Sequence, residues 1–203
     1  MRRNPKPASR MGNIERTTSE TDIHISLYLD GDGIGDVHTG VAFFDHMLNH
    51  VAKHAVLNLS VHAKGDTQID DHHTVEDVGI ALGTTIKEAL GDKRGIARYG
   101  DATVPMDETL ILCALDFSGR GGFYTNLSFP DTRIGTTFAS ELVAEFFHAV
   151  ARSAGLTIHI RQLAGTNAHH IAEGAFKAFG RALRSAAAVD PRVKDIPSTK
   201  GVL

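Results

Sequence analysis

A twelve-residue segment occurs twice in this chain and carries side chains that could bind a metal ion. HHTVEDVGIALG begins at residue 72 and HHIAEGAFKAFG begins at residue 169. The two copies share both histidines, the glutamate four positions after the first histidine and the closing glycine, and they lie 97 residues apart. Imidazole and carboxylate ligands without a thiolate suit Mn(II), Fe(II) or Zn(II). The repeat therefore indicates an internal duplication with one metal site in each half.

Each copy places one histidine and one glutamate on the same face of a helix. His72 and Glu76 are four residues apart, as are His169 and Glu173, so each pair can hold one ion. The second histidine of each copy is rotated by about 100° around its helix and should not readily reach that ion. Each site must then borrow ligands from the other half or from another subunit. The positive end of the helix dipole favours neutral imidazoles, which are the form that binds metal.

The helix that precedes each copy offers further ligands. His46 in the first half aligns with Glu145 in the second half, and His148, one helical turn later, is the competing ligand. Gly79 and Gly83 continue the metal-binding face of the first copy. They predict a helix face that another backbone can approach closely.

The elements that must position these residues follow the same order in both halves. Alternating apolar residues predict strands, and apolar residues at helical spacing predict amphipathic helices. In the first half we expect a strand at 23–29, a helix at about 44–55, a strand at 57–63 and a helix at about 71–90 ended by Gly91. In the second half we expect a strand after Glu108-Thr109, a helix at about 137–154, a strand at 156–160 and a helix that opens with the second copy. The pattern predicts an α+β fold of two similar halves, each a small, mostly antiparallel sheet with two helices on one face.

The composition fits one compact unit. Of the 203 residues 42% are hydrophobic, and we expect a flexible N-terminal tail at 1–13, a first half at 14–100 and a second half at 101–203. The net charge is −3 without long blocks of either sign, so nucleic acid and membranes are poor partners. No apolar core follows the basic N-terminus, which argues against a secretory signal. The single cysteine, Cys113, fits a reducing compartment, and we expect a soluble, cytoplasmic protein.

Twelve histidines are the one anomaly of the composition. His50 and His54 share a helix face with His46, and this face is either a polar surface or the rim of a substrate pocket. Four others lie at alternating strand positions and are expected to face solvent without a role: His24, His38, His62 and His159.

Several basic and hydroxyl side chains could hold a phosphate group. Arg98 and Arg120 lie beside glycines, in KRGIARYG and FSGRGG, where the backbone can come close to an anion. The C-terminal segment PSTKGVL adds Ser198, Thr199 and Lys200 as donors. This segment lacks the upstream glycines of a P-loop, so nucleotide binding is not supported.

The sequence resembles the imidazoleglycerol-phosphate dehydratases of histidine biosynthesis from about residue 14 to residue 203. The resemblance rests on motifs in the right order: FFDHMLNH, DDHHTVED, DKRGIARYGDA, MDETL, DFSGR, HHIAEGAFKAFGRALR and PSTKGVL. The phosphatase domain fused to some family members is not found here, which implies the monofunctional form. The resemblance further implies two Mn²⁺ per active site and a homo-oligomer of 24 subunits in which neighbouring chains share the metal sites.

The resemblance also implies how the metal ligands divide, with each set drawn from more than one chain. One ion would take His72, Glu76, the residue at 145 and His170, and the other would take His46, His73, His169 and Glu173. The family commonly has a histidine just before the Phe-Phe of the third helix, whereas this chain has Glu145. Glu145 and His148 therefore stay open as alternatives.

The implied reaction is the dehydration of imidazoleglycerol phosphate to imidazole-acetol phosphate by a metal-dependent hydro-lyase. The carbon that loses a proton has no neighbouring carbonyl group to make that proton acidic. Two cations that held the substrate's imidazole ring as imidazolate would let the ring expel hydroxide through a diazafulvene-like intermediate. Glu20 is the first candidate to shuttle protons, with Glu173 and Lys177 assisting. The predicted substrate-binding residues are Glu20, His46, His50, His54, Arg98, Arg120, Lys177, Ser198, Thr199 and Lys200.

Two other functions would also suit paired His/Glu sites. A two-metal hydrolase of phosphate esters or peptides would hold its ions about 3.5 to 4 Å apart, closer than a dehydratase with an imidazole between them. A metal-dependent assembly or metal-storage protein would have no catalysis at all.

Overall fold

The computed structural model describes residues 10–203. In chain order its elements are β1 (Met11–Thr17), β2 (Thr21–Tyr28), β3 (Gly35–His38), α1 (Ala42–Ala55), β4 (Asn58–Gly65), α2 (His72–Leu90), β5 (Tyr99–Met106), β6 (Thr109–Asp116), β7 (Gly122–Thr125), β8 (Arg133–Ile134), β9 (Phe138–Ala139), α3 (Glu141–Ala154), β10 (Thr157–Ala164) and α4 (Ala168–Ala187). None of the helices within residues 10–203 combines the length and apolarity that a membrane span requires.

Two four-stranded sheets have the same topology. The strand order is β1-β2-β4-β3 in the first sheet and β5-β6-β10-β7 in the second. In each sheet the last pair, β3 with β4 or β7 with β10, is parallel and the other pairs are antiparallel. The short β8–β9 hairpin is an addition in the second half. The predicted α+β fold of two similar halves is confirmed.

The helices of the two halves pack against each other between the sheets. α2 lies on β1 and β2, and α4 lies on β5 and β6. α2 also packs against α3, and α1 packs against α4, so each helix pair joins the two halves. Phe146, Phe147 and Phe176 link α3 to α4 at the centre, with ring centroids 4.9 to 5.2 Å apart. Full burial of each such ring stabilises the fold by about 1.5–3 kcal/mol.

Glycines allow the close approach at the helix crossings. A Cβ atom on Gly83 would lie 2.7 Å from the carbonyl oxygen of Val150 in α3, and one on Gly79 would lie 3.0 Å from another carbonyl oxygen of that helix. Gly180 has the same position in the second copy of the repeat, and its Cβ would lie 3.1 Å from the carbonyl oxygen of Val51 in α1. The predicted close approach of a backbone to the Gly79 and Gly83 face is confirmed.

Several sequence-based boundaries need correction. Met11, Gly12 and Asn13 belong to β1, so the predicted tail at 1–13 is too long; residues 1–9 of it lie outside the described part of the chain. β5 begins at Tyr99, which places the predicted boundary between residues 100 and 101 inside this strand. α3 begins at Glu141 and not near Thr137, because Phe138 and Ala139 pair with β8.

The single cysteine offers a probe of folding. Cys113 lies on β6 with no exposed surface, and burial raises the pKa of its thiol far above the usual range. Since the thiolate is the reactive form, we expect no reaction of the native protein with dithiobis(nitrobenzoate) at pH 8. One thiol per chain should react after unfolding in guanidinium chloride, and a Cys113→Ser variant should show none. Rapid labelling of the native protein would contradict the buried position.

Candidate metal centre

One group of potential metal ligands lies where α4 begins beside α1. Asn167 caps α4, and its side-chain oxygen accepts from the backbone N–H groups of His169 and His170 at 2.9 and 3.2 Å. The Nε2 atom of His169 lies 3.0 Å from Oε2 of Glu173. The Nε2 atom of His46, on α1, lies 3.2 Å from the same oxygen. His46, His169 and Glu173 each offer one ligand atom, and these atoms lie within 4.8 Å of one another.

Glu173 is the buried anchor of this group. Its side chain is 7% exposed, and its Oε1 atom lies 2.5 Å from Nζ of Lys177 and 3.3 Å from Nε2 of His50. Burial opposes ionisation of Glu173, but hydrogen bonds from Lys177 and His169 outweigh it and lower its pKa to about 2. Burial also lowers the pKa of His50 to about 4. The group therefore places the ionised carboxylate of Glu173 beside the neutral imidazole of His50. The ring centroid of His54 lies 5.8 Å from that of His50.

The second group is the symmetry counterpart of the first. His72 and Glu76 on α2 meet Glu145 of α3, again with one ligand atom each within 4.8 Å of one another. Nε2 of His72 lies 4.0 Å from Oε2 of Glu76. Glu145 thus has the place that His46 has in the first group. His148 is exposed and packs its ring against Phe123 at a centroid distance of 5.0 Å.

The second histidine of each copy turns to a different carboxylate. Nδ1 of His73 lies 3.0 Å from Asp66, and Nδ1 of His170 lies 2.8 Å from Glu108. These hydrogen bonds raise the pKa of both imidazoles. For His73 and His170 the helix dipole is therefore not the dominant influence on the pKa, because a hydrogen-bonded carboxylate at about 3 Å outweighs a partial helix charge.

Sequence reasoning did not find these carboxylate partners. Glu20 precedes β2 and Glu108 precedes β6, and the two glutamates lie 88 residues apart. This repeated position was the sequence signal that could have identified Glu108 as a partner of His170. Glu20 lies 3.9 Å from Nδ1 of His73, as Glu108 lies beside His170. For Asp66 the only signal was its turn position before the first copy.

The donor set of both groups fits a divalent cation. Nitrogen and carboxylate oxygen are present without thiolate, which suits manganese, iron or zinc. The contact of each Nδ1 with a carboxylate leaves Nε2 of His73 and His170 as the nitrogen that could bind a metal, an arrangement common among metal-binding histidines. Neither histidine joins a ligand group of its own chain within residues 10–203.

The predicted phosphate-binding residues gather at a different place. Arg98 donates through Nη1 to the carbonyl oxygen of Pro197 at 2.8 Å and through Nε to Asp116 at 2.8 Å. The C-terminal residue Leu203 lies against Gly119, next to Arg120. The remaining members of this cluster are on the same terminal segment: Ser198, Thr199 and Lys200, whose backbone N–H donates to Ser198 Oγ at 3.2 Å.

This basic cluster and the repeated motif of the second half lie at opposite ends of β6. Asp116, the partner of Arg98, ends the strand, whereas Glu108, the partner of His170, precedes its first residue. An eight-residue strand spans about 23 Å. Within one chain the phosphate-binding candidates therefore do not meet this metal-ligand group.

Fold and site together define a duplicated α+β protein with two symmetry-related groups of nitrogen and oxygen side chains, each of which could hold a metal ion. The chain belongs to the imidazoleglycerol-phosphate dehydratase family, whose model matches residues 39–183. The imidazoleglycerol-phosphate dehydratase of Desulforamulus reducens is 61% identical over 195 residues, which cover 96% of this chain and 99% of that protein.

Two solved structures agree with this membership. The crystal structure of imidazoleglycerol-phosphate dehydratase from Staphylococcus aureus is 40% identical, with a TM-score of 0.80 over 89% of this chain and 99% of that chain. The enzyme from Pyrococcus furiosus, solved in complex with (S)-C348, is 38% identical, with a TM-score of 0.81 over 94% of this chain and 100% of that chain. These findings bear out the resemblance noted from the sequence motifs.

Proposed function

We propose that this chain dehydrates imidazoleglycerol phosphate to imidazole-acetol phosphate in histidine biosynthesis, as a cytoplasmic, metal-dependent lyase. Family membership supports the activity. The observation that carries the metal dependence is the pair of symmetry-related ligand groups, each converging within 4.8 Å. Neither the hydrolase nor the storage alternative has comparable support.

Two Mn²⁺ ions per active site are the proposed cofactor. When bound, the ions would supply Lewis-acid stabilisation of the electron-rich substrate ring from which hydroxide is expelled. One ion would be held by His72, Glu76, Glu145 and His170, and the other by His46, His73, His169 and Glu173. The convergence of three residues of each set within one chain supports this division.

The chain's own residues would divide the remaining tasks. Glu20 is half exposed and is the proposed proton shuttle. Glu173 has both oxygens occupied by Lys177 and histidines, which favours its role as a ligand held in place by Lys177. His50 and His54 would line the pocket beside this group. The phosphate would be held by Arg98, Arg120, Ser198, Thr199 and Lys200.

A shared active site follows from this assignment. The predicted phosphate-binding residues lie about one strand length from the His170 end of β6. His73 and His170 belong to neither ligand group among residues 10–203. We therefore propose a homo-oligomer, with 24 subunits as the family resemblance implies, in which neighbouring chains complete each site.

The proposed activity is tested by incubating Mn-loaded protein with imidazoleglycerol phosphate and assaying the ketone product. We expect turnover that is lost on chelation and restored by Mn²⁺. Product formation no greater than with Mn²⁺ alone would exclude the dehydratase function.

Glu145 and His148 provide a matched test of the metal ligands. Because Glu145 meets His72 and Glu76 whereas His148 packs on Phe123, Glu145→Ala should retain about one Mn²⁺ fewer per chain after dialysis, with affinity weakened at least about 10- to 100-fold. His148→Ala should keep the wild-type content. Elemental analysis measures the Mn²⁺ content of both variants. Loss of Mn²⁺ from His148→Ala with wild-type content in Glu145→Ala would assign the ligand role to His148.

A further inference from the structure

The turn between β1 and β2 carries Glu20 and is held by hydrogen bonds from its own residues. The Oγ1 atom of Thr18 accepts from the backbone N–H groups of Glu20 and Thr21 at 3.1 and 3.0 Å. The backbone N–H of Thr18 donates to the carbonyl oxygen of Thr21 at 2.8 Å. A threonine that accepts from the backbone ahead of it stabilises a tight turn. Thr18 and Thr21 therefore set the position of the Glu20 backbone.

A buried carboxylate fastens this turn to α2. Asp77 is 7% exposed, and its Oδ2 atom accepts from Oγ1 of Thr21 at 2.5 Å. Thr21 directly follows Glu20 and is itself buried. The other carboxylate oxygen of Asp77, Oδ1, accepts from Nη2 of Arg16 on β1 at 2.7 Å. Asp77 thus joins β1, the start of β2 and α2 at one point.

The hydroxyl groups between the turn and Asp77 share one direction. An ionised carboxylate only accepts, so the single hydroxyl proton of Thr21 goes to Asp77. The Oγ1 atom of Thr18 lies 3.2 Å from that of Thr21 and must then donate to it. Each hydrogen bond in such a chain polarises the next. Loss of the Thr21 hydroxyl would separate the turn from α2 and leave Oδ2 of Asp77 without this donor.

The second half of the chain holds its corresponding glutamate in another way. Gly174 has the place of Asp77 in the repeated motif and offers no carboxylate. Glu108 is held by its own side chain, whose oxygens accept from the backbone beside the start of α4 and lie 2.8 Å from Nδ1 of His170. Within residues 10–203 no donor lies within hydrogen-bond distance of the Glu20 carboxylate, which is half exposed.

We propose that Thr21 and Asp77 are positioning residues that place the Glu20 carboxylate for proton transfer. This inference rests on the proposed dehydratase function. The link through Thr21 holds the backbone beside Glu20 and makes no use of its carboxylate oxygens. Rigid placement matters because a displacement of about 1 Å can lower turnover about 100-fold.

Thr21→Val breaks the link and keeps the branched shape of the side chain. We expect kcat of the Mn-loaded enzyme to fall about 10- to 100-fold with wild-type Mn²⁺ content. Thr21→Ser keeps the hydroxyl and should restore most of the activity. Hydrogen exchange at residues 17–22, followed by mass spectrometry, should be faster in Thr21→Val and close to wild type in Thr21→Ser.

Thr85→Val is the matched control. It makes the same change at a buried position, where the hydroxyl donates to the carbonyl oxygen of Ala81 within α2 at 2.8 Å. Both kcat and exchange at residues 17–22 should equal those of wild type. Thr18→Val, at an exposed position, breaks the link at its other end and replaces Thr21→Val if that variant does not fold.

Glu20→Gln shows whether Thr21 acts through Glu20. In the Glu20→Gln enzyme, Thr21→Val should lower kcat less than about twofold, because the group that the link positions has already been changed. The same loss in both backgrounds would overturn the proposal, as would an equal loss in Thr85→Val. A wild type without turnover would overturn the proposed function and this inference with it. An active wild type with an equally active Thr21→Val or Thr18→Val enzyme would overturn this inference alone.

Discussion

His72→Ala is expected to abolish dehydratase activity and to weaken the oligomer in the same variant. His72 belongs to the ligand group with Glu76 and Glu145, and the proposed site is completed by a neighbouring chain. Loss of this ligand removes electrostatic stabilisation worth several kcal/mol, so kcat/KM should fall by at least about 10³-fold. Light scattering on the eluting particles should show a smaller average mass.

His159→Ala is the matched control for this prediction. It makes the same chemical change at a half-buried position of β10, where the ring stacks on Tyr124 in the second sheet. Particle size, Mn²⁺ content and turnover should equal those of wild type. Full-size, fully active His72→Ala particles would contradict the ligand role, as would an equal loss of activity in the control.

Gly83→Leu is expected to destabilise the fold strongly. Its Cβ atom would lie 2.7 Å from the carbonyl oxygen of Val150, 2.8 Å from Cβ of Ser153 and 3.0 Å from the backbone nitrogen of Ala154. Backbone atoms of a packed helix cannot turn aside as a side-chain end can, so α2 and α3 must separate. We expect a loss of about 3 kcal/mol or more, a large part of a typical domain's stability, seen as a lower melting temperature and low soluble yield.

Alanine at the two equivalent glycines gives a graded comparison. The Cβ atom of Gly180→Ala would lie 3.1 Å or more from its neighbours in α1, which demands shifts of only a few tenths of an ångström. Both substitutions gain the same helix propensity, about 1 kcal/mol. The difference between their melting temperatures therefore reports how tightly the α2–α3 crossing is packed relative to the α1–α4 crossing. Gly83→Ala should be the less stable variant. The opposite ranking would mean that the α2–α3 crossing is looser than the structure shows.

The predictable part of the fold is the part with a local period. His72 with Glu76 and His169 with Glu173 are separated by one helical turn, so their spacing alone indicates shared helix faces. The strands that the sequence analysis did not predict lack a regular alternation of apolar and polar residues. In β3 only Val37 is buried, and β5 contains Gly100 and Pro105, which disrupt strand propensity.

The less predictable part of the site depends on contacts through space. Nothing in the sequence spacing joins His50 to Glu173, because α1 and α4 meet only after the halves have packed. The partnership of His73 with Asp66 is likewise set by where the turn after β4 ends. Charge reasoning from the helix terminus alone therefore misses the carboxylate that raises the pKa of His73.

The reciprocal packing of the four helices also bears on how such a protein arose. The second helix of each half packs against the first helix of the other half, α2 on α3 and α4 on α1. Two identical subunits in an isologous dimer pack in the same reciprocal way. Each ligand group likewise takes residues from both halves, so a half-length ancestor would have needed a second copy of itself to form either one. Joining two copies in one chain would make that partnership permanent and would let the copies diverge. In this chain His46 and Glu145 fill equivalent positions with different chemistry.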